Sequence, residues 1–372
     1  MKIINIDSSN SSKVRGIFSV TKKRSLNRKN KILLTQNIKY SDIGWGGIIT
    51  TQKTQRENAI TISQESFEKF GEYDIVDILC GEIVFLWEYE NDDNCFFLTD
   101  SCSCKCVMCP QPPKAHNKEL EIKNLKILEL IPNHYKKSIC ITGGEPTLLQ
   151  EYYLQFMQKI REKFPHNFLI TLSNGRTFNN LVFLNKFAKL KSNSLVAISF
   201  ASDIDTLHDE IMGAKNSFHQ MHNGIYNLAK AGEKIELRIV VSRLNFKRLP
   251  TIADFIYRNY PFVFHIAIMG LEYTGYAIDN YEKININPKE YANELQEAIY
   301  KLNRYGLNVS IYNIPLCLLN KNIRRFATKS ISKWKNDYAK ECLKCDVKDK
   351  CCGIFTTSNK YPYTNIAPIK VV

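Results

Sequence analysis

The sequence predicts an α/β protein built on a partial barrel of six β/α units, with a β-rich region before it and a cysteine-rich region after it. Apolar runs of strand length alternate with helical patterns from residue 93 onward, and such alternation implies parallel strands joined by helical crossovers. Six units are too few to close an eight-stranded barrel. Four cysteines fall in 102–109 and four more in 342–352, and they mark the start of the core and the C-terminal region.

The N-terminal region, residues 1–92, begins with a basic, Asn- and Ser-rich stretch. Two strand patterns follow at Asp74–Ile78 and Glu82–Trp87, with Gly81 between them as a turn residue. We expect a small β-rich domain here, and the sequence assigns it no chemistry.

The core, residues 93–285, carries the alternating pattern. Parallel β/α folds build their sites from the loops at the carboxyl ends of the strands, so the informative residues are expected there. The predicted strands are Phe96–Leu98, Ile139–Ile141, Phe168–Ile170, Leu195–Ile198, Ile235–Val241 and Phe262–Ile268. The predicted helices are Leu120–Ile131, Tyr152–Phe164, Leu181–Leu190, Phe218–Ala231 and Leu249–Tyr257.

The C-terminal extension, residues 286–372, breaks the alternation. It holds a helical pattern at Tyr291–Leu302, a strand pattern at Leu307–Ile311 and then the second group of cysteines.

Composition excludes several classes of protein. Hydrophobic residues make up 44% and charged residues 24%, which is typical of a packed globular chain. No apolar run has the ~18 residues of a membrane span, and the N-terminus has no secretory pattern, so we expect a cytoplasmic protein with no membrane partner. The 51 Lys and Arg exceed the 37 Asp and Glu, giving a charge of +14. The basic residues crowd the first forty positions like a solvated arm, so nucleic-acid binding is not inferred.

Cys102, Cys106 and Cys109 follow the first core strand in the spacing C-x3-C-x2-C. Thiolates at this spacing can bind three corners of a 4Fe–4S cluster and leave one iron open, as a catalytic metal site requires. A closed zinc site is the alternative, with Cys104 as a fourth ligand of poor geometry.

The second core strand is followed by Gly143-Gly144-Glu145-Pro146. The two glycines are predicted to let a ligand approach the backbone, and the Glu145 carboxylate can pair with an ammonium group. Alone this sequence indicates only a turn. Its position after the strand that follows the cysteine loop favours a functional role.

Together, the cysteine spacing and this segment resemble the radical S-adenosylmethionine (SAM) enzymes over about residues 93–275. The resemblance implies that Cys102, Cys106 and Cys109 hold a 4Fe–4S cluster whose open iron chelates S-adenosylmethionine. It further implies reductive cleavage of that cofactor to a 5′-deoxyadenosyl radical, driven by an external one-electron reductant. The implied cofactor contacts are Gly143, Gly144 and Glu145 for the ammonium, Ser173 and Asn174 for polar groups, Ser199 and Ser202 for the ribose or carboxylate, and more weakly Arg238 with Met269-Gly270 for the carboxylate and adenine.

The second cysteine group contains Cys342, Cys345 and Cys351, with Cys317 upstream. Four thiolates suit either a structural zinc ion or a second iron–sulfur cluster. The resemblance favours the cluster, because C-terminal C-x2-C-x5-C extensions recur in radical enzymes that modify peptides. Cys352 is the substitute ligand. The remaining thiols, Cys80, Cys95, Cys104 and Cys140, are interpreted as small buried hydrophobic residues.

Three segments, 109–114, 269–277 and 331–336, resemble a narrower group: the second, shorter radical SAM maturase of the His-Xaa-Ser system. The resemblance implies a ribosomally made precursor peptide with His-Xaa-Ser repeats as substrate and a second radical SAM maturase as partner. The alternatives are a radical enzyme acting on RNA, an activase of a partner enzyme, and an iron–sulfur or zinc scaffold or electron carrier without turnover.

Overall fold

A computed structural model describes residues 2–6, 12–333, 335–361 and 363–371, so Trp334, within one of the resembling segments, lies outside the described residues. The chain forms two units. The first comprises the described parts of Met1–Phe97, with Lys118–Cys140 and Gln158–Asn167. The second comprises Leu98–Asn117, Ile141–Met157 and the described parts of Phe168–Val372.

The N-terminal strands form a seven-stranded mixed sheet in the order β1-β7-β6-β2-β3-β4-β5. Strands β2 to β5 pair in parallel, whereas β1, β6 and β7 pair antiparallel with their neighbours. The strands are β1 (Ile3–Asn5), β2 (Gly16–Thr21), β3 (Lys31–Leu34), β4 (Gly47–Thr50), β5 (Ala59–Thr61), β6 (Ile75–Leu79) and β7 (Glu82–Trp87), with helix α1 (Gln64–Phe67) after β5.

This sheet is stabilised by alternating apolar side chains and by an ion pair whose carboxylate is buried. Val20, Ile32 and Val76 are fully buried in its core. The Asp42 carboxylate is 1% exposed and accepts from Arg24 Nε at 2.8 Å, and this guanidinium holds the pKa of Asp42 below its usual range. The two sequence-predicted strands, 74–78 and 82–87, correspond to β6 and β7.

The second sheet has eight strands in the order β15-β14-β13-β12-β11-β10-β9-β8, with consecutive strands adjacent throughout. Every registered pair from β10 to β15 is parallel, so the prediction of an α/β fold with a parallel sheet is confirmed. The strands are β8 (Cys95–Phe97), β9 (Ile139–Thr142), β10 (Leu169–Ser173), β11 (Ser194–Ser199), β12 (Lys234–Val240), β13 (His265–Met269), β14 (Val309–Tyr312) and β15 (Ala327–Thr328).

Helices connect these strands. The longer ones match the sequence-predicted helices within about two residues, and α7 buries an apolar stripe that includes Ile252 and Ile256. The helices are α2 (Glu119–Leu130), α3 (Glu151–Lys163), α4 (Leu181–Leu190), α5 (Asp205–Met212), α6 (Ser217–Lys230), α7 (Leu249–Asn259), α8 (Tyr276–Asp279), α9 (Tyr281–Ile284) and α10 (Ala292–Arg304).

The region after residue 285 contributes to the same sheet. Its strands β14 and β15 continue the parallel ladder beyond β13. They are followed by a two-stranded ribbon of β16 (Asn336–Asp337) and β17 (Ile354–Phe355). Short 3-10 helices lie at Lys340–Lys344 and Lys348–Lys350. In the described part of the chain, no helix combines the length and the apolar character needed to cross a bilayer.

Candidate functional site

The first cysteine group lies on the loop that follows β8. The side chains of Cys102, Cys106 and Cys109 are partly buried and belong to one stretch of irregular backbone, whereas Cys104 is 2% exposed. This stretch, residues 99–110, is called the cysteine loop below. Its position at the carboxyl edge of the parallel strands is where the sequence predicted a site.

Gly143 and Gly144 hold the start of the cysteine loop. The Gly144 amide donates to the Thr99 carbonyl at 2.6 Å. A Cβ on Gly143 would lie 2.7 Å from Thr99 O, and one on Gly144 would lie 2.4 Å from Ser101 O. The structure therefore explains both glycines by a close approach of two backbone segments, where the sequence predicted the approach of a ligand.

The C-terminal end of α5 holds the middle of the loop. Lys105 N donates to Met212 O at 3.1 Å and Val107 N donates to Ile211 O at 2.9 Å, so two carbonyls that a helix end leaves unpaired are satisfied by the cysteine loop. Gly213 ends the helix with φ +59°, and a Cβ there would lie 2.2 Å from Lys105 O. The sequence analysis did not predict α5. The main sign of this helix in the sequence is Gly213, three residues before Asn216, because glycine commonly follows the last residue of a helix.

The end of the loop is held by the segment after β13. Tyr276 N donates to Cys109 O at 2.9 Å, and Asn280 Nδ2 donates to Val107 O at 3.1 Å. Gly275 has φ +55°, and a Cβ there would lie 2.5 Å from Cys109 O. The cysteine loop is thus fixed at its start, middle and end by backbone contacts.

Hydrogen bonds within the loop shift the pKa values of its cysteines in opposite directions. Hydrogen bonds from the Cys102 and Cys106 thiols lower the pKa of Cys104 to about 3, and Arg176 acts in the same direction. Its hydrogen bond to Cys104, followed by burial, raises the pKa of Cys102. The stabilised thiolate is therefore that of Cys104, whereas the hydrogen bond to Cys104 raises the pKa of Cys106 and burial raises the pKa of Cys109. This donor set fits the implied cluster, with three loop thiols in the predicted spacing.

Glu145 is fully buried, with 0% exposure. Its carboxylate accepts from the Thr147 amide and hydroxyl, from Ser173 Oγ at 2.9 Å and from Asn174 N at 2.6 Å. Burial raises the pKa of Glu145, and these four donors oppose that rise. The carboxylate is thus occupied by hydrogen bonds within the protein. The backbone of this segment is what could contact the ammonium group that the resemblance implies.

Ser173 and Asn174 both lie at the end of β10, but they do different things. Ser173 Oγ donates to the buried carboxylate of Glu145 at 2.9 Å. Asn174 Nδ2 faces the cysteine loop and donates to Ser103 Oγ at 3.1 Å, with Cys104 Sγ at 3.5 Å and Cys102 Sγ at 3.9 Å. Asn174 therefore contacts the loop that would hold the cluster.

The remaining predicted contacts separate into two groups. Ser199 and Arg238 are register partners and point to one face of the sheet, and Arg238 Nη2 lies 3.4 Å from Met269 Sδ on the next strand. By contrast, Ser202 is 0% exposed and accepts from Ile204 N at 3.1 Å, so its hydroxyl serves the entry to α5. The structure brings Ser199, Arg238 and Met269 together, whereas Ser202 is buried apart from them.

The same face carries polar residues that the sequence analysis missed. His265 Nδ1 lies 2.9 Å from Glu236 Oε2 and its Nε2 lies 3.0 Å from Ser310 Oγ, so three adjacent strands share one hydrogen-bonded line. Parallel barrels usually fill this face with branched apolar side chains. The sequence signal for this polar face was the period-2 alternation in Glu236–Arg238, where polar residues recur at every second position of the strand.

The second cysteine group lines one cavity. Cys317, Cys342, Cys345 and Cys351 all contribute to its wall, together with apolar residues such as Val347 and Ile369. Backbone amides of Leu316 and Gly353 each donate to Cys351 Sγ at 3.4 Å, and a hydrogen bond from Cys352 lowers the pKa of Cys351 to about 6.

Cys352 packs with Ile331 and Phe355, and it does not line the cavity of the second group. Across the described ranges, no three His, Cys, Asp or Glu side chains converge as they would on a single metal ion. Of the four thiols interpreted as buried, only Cys104 is buried. Cys80 and Cys95 are exposed and Cys140 is intermediate, so that prediction is wrong for three of them.

Comparison with known families identifies the core. Residues 96–256 match the model of the radical SAM superfamily, a range that contains the cysteine loop and the segment from Gly143 to Glu145. Residues 96–256 therefore match a radical SAM domain, as the resemblance predicted.

Relatives match only parts of the chain. Fe-coproporphyrin III synthase of Methanosarcina barkeri (strain Fusaro / DSM 804) is 26% identical over 167 residues, 43% of this chain and 39% of that relative. Among solved structures, Streptococcus suis SuiB bound to S-adenosylmethionine is 16% identical with a TM-score of 0.45, covering 58% of this chain and 49% of SuiB. The structure of anSMEcpe with bound AdoMet is 16% identical with a TM-score of 0.46, covering 58% and 60%. The chain thus spans less than two thirds of the length of each of these proteins.

Acid is expected to weaken the fold around α5 through His208. This side chain is 1% exposed, its Nδ1 accepts from Ala201 N at 3.3 Å, and burial lowers its pKa to about 4. A base whose folded pKa lies below its unfolded value of about 6.5 contributes stability above that value and loses it as the pH falls toward the folded pKa. We expect the wild type to lose about 3 kcal/mol through this group between pH 6.5 and pH 4, measured by urea denaturation.

The His208→Leu variant should show a flatter pH dependence over the same window. The matched control is His219→Gln, because His219 lies on neighbouring α6 with its side chain 62% exposed. A His208→Leu profile parallel to that of the wild type would contradict the assignment.

Proposed function

We propose that the protein is a radical SAM enzyme that modifies a ribosomally made peptide of the His-Xaa-Ser repeat type. The radical SAM part of this proposal rests on the position of three cysteines, Cys102, Cys106 and Cys109. They lie on a closely held loop at the carboxyl edge of a parallel sheet, within the matched range 96–256. When bound, a 4Fe–4S cluster and S-adenosylmethionine would supply the radical chemistry there.

The chain's own residues would bind and orient these groups. Cys102, Cys106 and Cys109 would be the cluster ligands. The backbone of Gly143 to Glu145 and the face that carries Ser199, Arg238 and Met269 would contact S-adenosylmethionine. An external one-electron reductant is required, and the partial burial of the loop would limit access of water.

The second group is proposed to hold an additional iron–sulfur cluster through Cys317, Cys342, Cys345 and Cys351. The resemblance favours a cluster over zinc, and two observations support a metal site here. The four thiols share one cavity. The amides that donate to Cys351 are the kind of hydrogen bond that tunes cluster sulfurs.

The peptide substrate and the second radical SAM maturase as partner are supported by the three segments that resemble the His-Xaa-Ser maturases. Two of them border the site: Cys109 begins one, and Gly275 and Tyr276, which contact Cys109 O, belong to another. The N-terminal seven-stranded sheet is proposed to be a family-specific region with an undefined role.

The experiment that tests this function begins with iron and acid-labile sulfide after anaerobic reconstitution. The wild type is expected to hold about eight irons per chain, and the Cys102→Ala/Cys106→Ala/Cys109→Ala variant about four fewer. Cys80→Ala is the matched control, because Cys80 is exposed and outside both groups. About four irons plus one zinc would overturn the second cluster, and no iron would overturn the radical SAM function.

The second stage measures reductant-dependent release of 5′-deoxyadenosine by the same samples. A peptide with His-Xaa-Ser repeats should increase the release and gain a mass change, whereas a peptide of the same composition in scrambled order should do neither. Release without any modified His-Xaa-Ser peptide would leave the radical SAM function standing and reject this substrate. Salt-sensitive stimulation by RNA would favour the RNA alternative.

A further inference from the structure

Arg176 brings a fixed positive charge to the cysteine loop. It follows β10 and begins a 3-10 helix at Arg176–Asn179. Its Nη1 donates to Ser103 O at 2.6 Å and lies 3.6 Å from Cys104 Sγ, while its Nε donates to Gln220 Oε1 at 2.7 Å. The guanidinium is therefore held from two sides, directly over the backbone between Cys102 and Cys106.

The surrounding backbone keeps it there. Arg176 N donates to Asn174 Oδ1 at 3.1 Å, and the Asn174 amide in turn donates to Ser103 Oγ. Gly175 adopts φ +79°, and helix α6 approaches it so closely that a Cβ on Gly224 would lie 2.3 Å from Gly175 O. The backbone position of Arg176 is thus fixed by closely packed neighbouring segments.

No carboxylate among the described residues forms an ion pair with this guanidinium. Its polar partners are a backbone carbonyl, a side-chain amide and a thiol. Arginine stays charged at any pH a protein tolerates. The full positive charge therefore acts on the loop in a partly buried setting, where the effective dielectric constant is well below that of water.

We propose that Arg176, positioned by Asn174 and Gln220, raises the reduction potential of the iron–sulfur cluster held by Cys102, Cys106 and Cys109. The inference rests on the proposed function. The step affected is the gain of one electron by the cluster from an external one-electron reductant, and no bond is made or broken at Arg176. Reduction adds a negative charge, and a nearby cation stabilises the reduced form.

The test is a redox titration of the reconstituted full-length protein, followed by electron paramagnetic resonance of the reduced first cluster. At the potential where half of the wild-type cluster is reduced, the ratio of reduced to oxidised cluster in Arg176→Gln should fall about tenfold, equivalent to 59 mV for a one-electron couple. Arg176→Lys, which keeps the charge, should stay within about threefold of the wild type. Arg258→Gln removes an exposed charge on α7 and should change nothing.

A merely structural role would lower iron content or the unfolding midpoint and leave the potential of the remaining cluster unchanged. That result in Arg176→Gln, or an equal shift in Arg258→Gln, would overturn the proposal. If Arg176→Gln holds no iron, Gln220→Leu decides, because it releases Nε without changing charge. A lowered potential there supports the proposal and an unchanged one rejects it. A wild type without iron in this loop is a different outcome, since it rejects the proposed function itself.

Discussion

A Gly144→Ala variant is expected to lose about 3 kcal/mol of unfolding free energy and to hold no iron at the first cysteine group. The added Cβ would lie 2.4 Å from Ser101 O and 2.8 Å from Asp100 O. Both neighbours are backbone atoms, which cannot rotate away as a flexible side chain could. The two segments must therefore separate, and the start of the cysteine loop separates with them.

Urea denaturation of the apo protein and iron content after reconstitution measure the two effects. Gly306→Ala is the control, since Gly306 has φ +75° but no atom near its Cβ position. It should show only the backbone cost of about 1 kcal/mol. A Gly144→Ala protein with wild-type stability and iron content, but weakened binding of S-adenosylmethionine, would contradict the backbone explanation and restore the ligand-approach interpretation.

The strands and longer helices of the core follow from the sequence because their patterns are local. Leu237 and Ile239 are fully buried on β12, whereas Glu236 and Arg238, which alternate with them along the strand, are not, so period 2 is visible in the sequence itself. The cysteine spacing is likewise local, and it located the loop that the structure places at the carboxyl edge of the strands.

Helix α5 was missed because its stability comes from a distant partner. It has only eight residues and no side-chain N-cap bond. Its apolar residues, Leu207 and Ile211 among them, pack against the cysteine loop about a hundred positions earlier in the chain. Short helices are marginal alone, so a pattern this brief predicts little without the loop.

The strands beyond residue 285 illustrate the same limit. The pattern at Leu307–Ile311 predicts a strand, and β14 occupies Val309–Tyr312. Its parallel pairing with β13 depends on contacts that periodicity does not encode. A sequence motif also does not tell which atoms of a residue face a ligand, as Glu145 demonstrates.

A Glu145→Ala variant is expected to lose about 3 to 5 kcal/mol of unfolding free energy. Removing the carboxylate leaves four donors from Thr147, Ser173 and Asn174 without a partner in a site that has no solvent exposure. Each buried donor left unsatisfied costs about 1 to 3 kcal/mol, and partial relaxation reduces the sum.

Glu145→Gln separates charge from shape, since it keeps one carbonyl oxygen and should recover part of the loss. Glu151→Ala is the matched control: its carboxylate is 61% exposed in a surface pair with Lys186, so its removal should change stability by under about 1 kcal/mol. Equilibrium urea denaturation of the apo proteins measures all three. If Glu145 instead bound the cofactor ammonium, Glu145→Ala would unfold like the wild type and lose only affinity for S-adenosylmethionine. The four buried donors favour the first outcome, because a carboxylate that satisfies them has its lone pairs already occupied.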